Sequence, residues 1–312
     1  MSNYNFGIAI HGGAGTIEKS LMTPEKEEAY RQALEIAIDA GYEVLAAGQS
    51  AITAVEAAVI ELENCPLFNA GKGAVFNAIG QHEMDASIMD GKTLHAGAVA
   101  AVRNLKNPIT LANIVREHSD HVLLVGEGAI EFAERFKIQV EPDDYFHTDH
   151  RYNQWQKIKG SDAFQLDHSA DKPGKPYLGT VGAVALDNHG NLAAATSTGG
   201  MTNKKFGRIG DSPLIGLGNY ANNKTCAVSC TGSGEYLMRA VTAYDISCLM
   251  EYKGLSLQEA AEFSILNKLM DLGGDGGVVS IDQSGNMALV FNCDGMYRAH
   301  RNQSTKEIAI YK

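Results

Sequence analysis

Glycine constrains the fold of this chain more than any other residue. Thirty-three of the 312 residues are glycine, about 11% against a usual figure of roughly 7%. They fall in short bursts at the ends of apolar runs: His11-Gly12-Gly13-Ala14-Gly15, Gly71-Lys72-Gly73, Gly199-Gly200, Gly232-Ser233-Gly234 and Gly273-Gly274-Asp275-Gly276-Gly277. Glycine is needed where the backbone takes a positive φ, or where another backbone or a ligand approaches closely. Ordinary tight turns would account for most single bursts. Several bursts beside Thr and Asn point instead to a binding site lined by main chain. A phosphate cradle, which glycine-rich turns before helices can form, is the less favoured reading: no G-x-x-x-x-G-K-[ST] string exists. The G-x-G pairs at Gly13, Gly126 and Gly232 also lack the third glycine of a dinucleotide fingerprint.

Apolar residues make up 45% of the chain and charged residues 20%, enough for a full core and against disorder over most of the length. Twenty-six Lys and Arg against 37 Asp and Glu give a net charge of −11, so nucleic acid is not an expected partner. The opening residues lack a basic n-region, so no secretory signal is expected. No run approaches the roughly 18 apolar residues of a membrane span, and no membrane partner is expected. The five cysteines (Cys65, Cys226, Cys230, Cys248 and Cys293) are odd in number and form no C-x-x-C pair. That pattern fits a reducing compartment rather than a disulfide framework or a zinc knuckle. A soluble cytoplasmic protein is expected.

Residues 7–11 read as a short buried strand. Thr23-Pro24 offers an N-cap and a first-turn proline, and Leu34, Ala37, Ile38, Gly41 and Leu45 keep helical spacing until Gly48. Ser50 starts a second helix with a stripe of Val55, Ala58, Val59 and Leu62. Residues 83–102 are β-like around a turn at Asp90-Gly91. Asn107-Pro108 caps another helix, 121–125 is a strand and 128–136 a short helix. From about 141 to 178 periodicity fades, and the residues from about 160 to 179 read as a mobile linker. A hairpin follows over 181–187 and 191–198, turning at Asn188-His189-Gly190. A long helix is expected over 235–251, then a capping box at Ser256 to Glu259 opening a helix towards Leu272. A last hairpin spans 278–281 and 287–291. Paired helices and hairpins suggest a sheet sandwich covered by helices, not a doubly wound parallel sheet.

The oddest junction is the abrupt end of the polar stretch at Gly179-Thr180, directly before a strand. A threonine hydroxyl is a poor nucleophile unless a base lies beside it, and one such base is its own free α-amine. That amine, with a pKa of about 7.7–8.0, is substantially neutral near physiological pH. An internal threonine acquires it only if the preceding peptide bond is cut. Glycine before it would tolerate the backbone that attack by Oγ1 demands. The alternative is that Thr180 merely opens a β-strand, where β-branched residues are common, and composition alone favours that alternative.

Three strings reverse the preference. Gly179-Thr180-Val181-Gly182-Ala183-Val184-Ala185-Leu186-Asp187, Ala195-Thr196-Ser197-Thr198-Gly199-Gly200-Met201-Thr202-Asn203-Lys204 and His11-Gly12-Gly13-Ala14-Gly15 resemble the plant-type asparaginase family. This family comprises isoaspartyl aminopeptidases and L-asparaginases of the N-terminal-nucleophile hydrolase superfamily. The resemblance extends from the first strand to Met296-Tyr297-Arg298-Ala299. It implies an α+β fold, a four-layer αββα sandwich made as one precursor that cleaves itself between Gly179 and Thr180. An α subunit (1–179) and a β subunit (180–312) would together form one structural domain, and two such αβ units would pair as a dimer.

The same resemblance implies the site. Thr180 is the nucleophile and Thr198 orients its hydroxyl. Arg208 and Asp211 hold the α-carboxylate and α-amino group of the substrate. The Thr231 hydroxyl and Gly232 N–H form the oxyanion hole, and Gly234 N–H assists the carboxylate. The loop from Leu62 to Lys72 resembles a sodium-binding loop, with main-chain carbonyls of Leu62, Glu63, Cys65, Phe68, Ala70 and Lys72 as ligands. Catalysis itself would need no cofactor. The implied activity is hydrolysis of β-aspartyl dipeptides and of L-asparagine, so the partners are small molecules and dipeptides.

Each assignment makes chemical sense: a tetrahedral intermediate needs fixed donors, and an amino-acid zwitterion needs a cation beside an anion. Plainer readings exist, namely Arg208 and Asp211 as a surface i,i+3 ion pair and Thr231 as a helix N-cap. A glycosylasparaginase-like enzyme usually has Asp before the threonine, where Gly179 stands here. An uncleaved scaffold that has lost turnover is a further alternative. The pairs His118/His121 and His147/His150 read as solvated loop residues rather than metal ligands.

Overall fold

A computed structural model describes residues 5–17, 19–161 and 179–312, with Leu21 described by its backbone alone. The expected linker lies almost wholly outside the described residues. In the first part of the chain, β1 (Gly7–Gly15) leads to α1 (Pro24–Ala46), α2 (Ala51–Asn64), β2 (Met84–Asp90), β3 (Ala96–Val102), α3 (Pro108–His118), β4 (Leu123–Val125), α4 (Gly126–Arg135), α5 (Asp143–Phe146) and α6 (Asp149–Ile158). From Thr180 onwards come β5 (Val181–Leu186), β6 (Leu192–Thr198), β7 (Asn219–Ala221), β8 (Cys226–Gly232), α7 (Gly234–Ala240), α8 (Thr242–Lys253) and α9 (Leu257–Glu262). The chain ends in β9 (Gly276–Asp282), β10 (Met287–Phe291), β11 (Gly295–Asn302) and β12 (Lys306–Tyr311).

Capping chemistry explains the helix starts. Thr23 accepts from Lys26 N ahead of Pro24, and Ser50 accepts from Thr53 N. At α9, Ser256 accepts from Glu259 N while the Glu259 carboxylate accepts from Ser256 N at 2.9 Å, a complete capping box. The α1 chain turns away at Gly48, which adopts φ +77.

The strands form two sheets, one in the order β12-β11-β1-β5-β6-β2-β3-β4 and one in the order β10-β9-β8-β7. Every pairing is antiparallel except β3 with β4. Helices α1 and α2 and the large sheet share one apolar cluster that includes Ile8, Leu34, Ile38, Val55, Val59 and Leu62. Each such fully buried side chain contributes roughly 1.5–3 kcal/mol relative to exposure. A second cluster, with Val228, Leu237, Ile246, Leu257 and Ile265, joins α7, α8 and α9 to the small sheet. A third, with Ala9, Val184, Ala194, Ala227 and Val279, joins strands of both sheets, and β5 and β6 pack on β8. The molecule is a mixed α+β protein. Among the described residues no helix is long and apolar enough to cross a membrane.

Several elements differ from expectation. β1 runs on to Gly15, with a bulge between His11 and Ala14. The helix expected over 235–251 is two helices, broken at Val241, whose φ of +53 is left-handed. The break lets the first turn of α8 donate Ala243 N to Leu217 O and Tyr244 N to Gly216 O, contacts that a straight helix would forgo. The helix from Ser256 widens into a π-helical stretch at Phe263–Leu269. The hairpin of β9 and β10 is not the last, since β11 and β12 follow. Asn107 makes no side-chain cap; its amide donates to Asn64 Oδ1 instead.

Residues 143–158, read as part of an aperiodic stretch, form α5 and α6. They are held by an aromatic cluster rather than by an apolar stripe. Trp155 stacks on Phe76 at 5.4 Å, with His147 and Tyr152 at the edges of the same ring. His147 thus packs against these rings. Among the described residues no cluster of His, Cys, Asp or Glu could hold a metal ion.

Candidate active site

Thr180 stands one residue ahead of β5, which pairs with β6 from Val181 opposite Ser197. That register brings the Thr180 and Thr198 hydroxyls together. Thr180 Oγ1 donates to Thr198 Oγ1 at 3.2 Å, and Gly200 N donates to the same oxygen at 3.0 Å. Two donors on one hydroxyl oxygen fix its orientation. Thr180 is buried, yet it borders a pocket lined also by Gly179, Thr198, Gly200, Met201, Arg208, Asp211, Gly232 and Gly234. The pocket thus collects the expected nucleophile, its neighbour and the expected clamp in one place.

Gly234 opens α7 between the two charges of that clamp. A Cβ there would stand 2.8 Å from both Arg208 Nη2 and Asp211 Oδ1, so cation and anion flank a residue whose lack of a side chain leaves room for a ligand. Asp211 is 4% exposed and its Oδ2 has no hydrogen-bond partner among the described residues. Burial pushes its carboxyl up to about 7, against the pull of the Arg208 charge. A buried carboxylate with an unused oxygen suits an ammonium group. Arg208 and Asp211 are therefore not a surface ion pair. Arg208 instead makes a bidentate pair with Glu235, from Nε at 2.8 Å and Nη2 at 2.9 Å. Burial pushes the Glu235 carboxyl up, but the Arg208 hydrogen bond and charge outweigh it and hold the group below its usual range.

Thr231 is fully buried at the end of β8, and its Oγ1 also lacks a partner among the described residues. It is not an N-cap; Ser233 occupies the N-cap position of α7. A buried hydroxyl left unpaired costs about 1–3 kcal/mol. Gly232 beside it takes φ +157, and a Cβ there would meet Asp275 O and Gly276 Cα at 2.8 Å. A donor hydroxyl and a glycine N–H thus adjoin each other beside the threonine.

The loop from Leu62 to Lys72 lies against the same region through Asn69, whose Nδ2 donates to Gly200 O at 2.7 Å and whose O accepts from Gly199 N at 2.9 Å. Its main chain is tightly packed around Gly71 and Gly73. A Cβ on Gly71 would collide with Glu63 O, and one on Gly73 with Phe68 O and Pro66 O. Leu62 O and Ala70 O already accept from Cys65 N and Gly73 N, each keeping a second lone pair.

Two further residues touch the site without a role that the motifs assign. Glu235 followed Gly234 directly in the motif, and its acidic charge near Arg208 was the available signal. His11 was a lone polar residue in an apolar strand. The structure puts its Nδ1 3.0 Å from Thr180 O and its Nε2 2.9 Å from Ser229 Oγ.

Comparison with known proteins places the chain in a family. The model of the family described as Asparaginase matches residues 4–310. The isoaspartyl peptidase of Escherichia coli is 54% identical over 293 residues, covering 94% of this chain and 91% of that protein. The isoaspartyl peptidase of Salmonella typhimurium is 54% identical over 294 residues, 94% of each chain. The isoaspartyl peptidase/L-asparaginase of Xenopus laevis is 45% identical over 304 residues, 97% of this chain and 94% of that protein. From β1 to β12, this chain belongs to the asparaginase family.

Proposed function

We propose that this protein is a self-processing threonine hydrolase that cleaves β-aspartyl dipeptides and converts L-asparagine to aspartate and ammonia. The observation that carries this reading is the pocket itself, where Thr180, hydrogen-bonded to Thr198, faces the same space as Arg208 and Asp211. The family and its isoaspartyl peptidase relatives support the substrate class.

Processing begins with attack of Thr180 Oγ1 on the Gly179 carbonyl carbon. The C–O bond forms, the Gly179 C–N bond breaks, and the hydroxyl proton ends on the freed amine. Water then cleaves the ester, restoring the hydroxyl and leaving Gly179 as a carboxylate. The fragments 1–179 and 180–312 stay together as a four-layer αββα sandwich, in line with the three apolar clusters. We place the enzyme in the cytoplasm as a dimer of αβ units, with sodium on the Leu62 to Lys72 carbonyls as a structural ion.

In turnover the α-amine takes the Oγ1 proton and Oγ1 attacks the side-chain amide carbon of the substrate. Thr231 Oγ1 and Gly232 N–H stabilise the oxyanion. The leaving amine departs with the proton, and water hydrolyses the aspartyl ester. Arg208 binds the α-carboxylate, assisted by Gly234 N–H, and Asp211 binds the α-ammonium. A β-linked aspartyl residue offers both groups free. An α-linked one has spent its α-carboxylate in the peptide bond and keeps only the side-chain carboxylate, one carbon farther from the ammonium, so the clamp cannot hold both charges with the scissile amide at Thr180.

The test combines mass spectrometry with a three-substrate assay. The purified protein should be two fragments, the second starting at Thr180, while Thr180→Ala stays intact and inactive. β-Asp-Leu and L-Asn should be cleaved and α-Asp-Leu spared. An intact mass after long incubation would favour a non-catalytic scaffold, and equal cleavage of α- and β-linked dipeptides would refute the clamp.

A further inference from the structure

Beneath the proposed nucleophile runs a line of three buried polar side chains that the chemistry above does not use. His11 on β1, Thr196 on β6 and Ser229 on β8 are all fully buried. His11 lies opposite Gly182 in one pairing and Thr196 opposite Gly182 in the next, while Ser229 reaches in from the other sheet. Nδ1 of His11 is 3.0 Å from Thr180 O, Nε2 is 2.9 Å from Ser229 Oγ, and Ser229 Oγ is 2.7 Å from Thr196 Oγ1.

The protons on this line can be assigned by elimination. A carbonyl oxygen only accepts, so His11 Nδ1 carries the hydrogen. Burial pushes the His11 pKa down to about 3, so the ring is neutral and Nε2 must accept. The Ser229 hydroxyl therefore donates to Nε2, and the Thr196 hydroxyl donates to Ser229. The competing acceptors, Ala195 O for Ser229 and Gly218 O for Thr196, are both farther away at 3.2 Å. Gly182 is what makes room for the line. A Cβ there would collide with Ser229 Oγ and lie 2.5 Å from His11 Nε2.

We propose that His11 is a positioning residue for the nucleophile: Ser229 and Thr196 lock its Nδ1–H tautomer, and it holds the Thr180 carbonyl. The inference rests on Thr180 being the nucleophile. The sheet pairing of β5 begins at Val181, so Thr180 lies just outside the ladder. Once the bond to Gly179 is cut, Thr180 is joined to the chain on its carbonyl side only. Holding that carbonyl limits rotation of the residue and so aims both Oγ1 and the α-amine. A misplacement of about 1 Å at such a group can cost on the order of a hundredfold in rate.

The two amide variants of His11 separate this role from simple packing. In His11→Asn an amide nitrogen stands where Nδ1 stood. In His11→Gln it reaches towards Ser229 and leaves Thr180 O unheld. With β-Asp-Leu and processed enzyme, His11→Gln should lose about tenfold in kcat with KM unchanged, the scale of one hydrogen bond, and His11→Asn should recover most of that loss. Equal losses in both variants, or a loss carried by KM, would overturn the proposal.

A second measurement needs no variant. A long-range ¹H–¹⁵N spectrum of histidine-labelled enzyme should show His11 protonated on Nδ1 and bare on Nε2, and the opposite tautomer would overturn the proposal. Activity surviving in Thr180→Ala would instead defeat the nucleophile assignment. An inactive Thr180→Ala with fully active His11→Gln defeats only the positioning role.

Discussion

Replacing Thr231 with valine should make the protein more stable and far less active. The side chain is fully buried and its hydroxyl has no partner among the described residues. Valine keeps nearly the same shape and removes a desolvated polar atom whose burial costs about 1–3 kcal/mol. For a chain of this size that gain corresponds to a rise in Tm of about 1–4 °C. In the proposed transition state the same hydroxyl donates to the oxyanion. Losing one such donor costs about 2.7–4 kcal/mol, on the order of 10²–10³ in kcat. The assay pairs calorimetric melting of processed Thr231→Val with kcat and KM for β-Asp-Leu. Thr231→Ser, which keeps the donor, serves as the control for the methyl group. An unchanged kcat would remove Thr231 from the oxyanion hole. A fall in Tm would mean that the hydroxyl is satisfied in the resting enzyme and that the reasoning from its burial is wrong.

Two further outcomes follow from the same pocket. Asp211 has a folded pKa of about 7, above its unfolded value of about 3.9. The folded state therefore holds that proton more tightly between these values, and the stability so gained is full below the unfolded pKa and lost as pH climbs to the folded one. Substrate ammonium needs the ionised form, so kcat/KM for L-Asn should rise with pH through about 7. Asp211→Asn should raise KM and flatten the fall in urea-melt stability between about pH 4 and pH 7; an unchanged slope would show that the carboxyl titrates normally. Gly232→Ala should lose about 1–3 kcal/mol of stability, because its Cβ would press on the Asp275 carbonyl and the Gly276 backbone. Near-native urea melts with near-native activity would refute that crowding.

The elements legible in the sequence were those whose signal is local. Thr23, Ser50 and the box at Ser256 marked helix starts through hydrogen bonds made within four residues. The hairpin of β5 and β6 announced itself through its turn at Asn188-His189-Gly190. What was missed depends on partners distant in the chain. Val241 breaks a good helical pattern because carbonyls at Gly216 and Leu217 accept from the next turn. The aromatic packing of Trp155 on Phe76 orders a segment that has no apolar stripe of its own. Strand β8 holds Ser229 and Thr231, whose hydroxyls weaken the apolar signal that a buried strand normally gives. At the site, the family resemblance supplied Thr180, Thr198, Arg208 and Asp211. Neither motif nor spacing could supply the contact of His11 with Thr180, 169 residues away in the chain.

The order of the large sheet has a consequence for what a cut before Thr180 leaves behind. β1, from the first fragment, lies between β11 and β5 of the second, and β6 of the second pairs with β2 of the first. The two pieces are therefore shuffled together like the halves of a deck rather than laid side by side. Pulling them apart would open three strand interfaces at once, so the nicked molecule should hold as firmly as the unbroken one. Rebuilding it is another matter, because a loose β1 would have to find a slot between two strands of a separate molecule. A chain that folds in one piece and is cut afterwards would keep that arrangement without being able to rebuild it, so heat or urea should unfold the processed protein irreversibly under conditions from which uncut Thr180→Ala refolds.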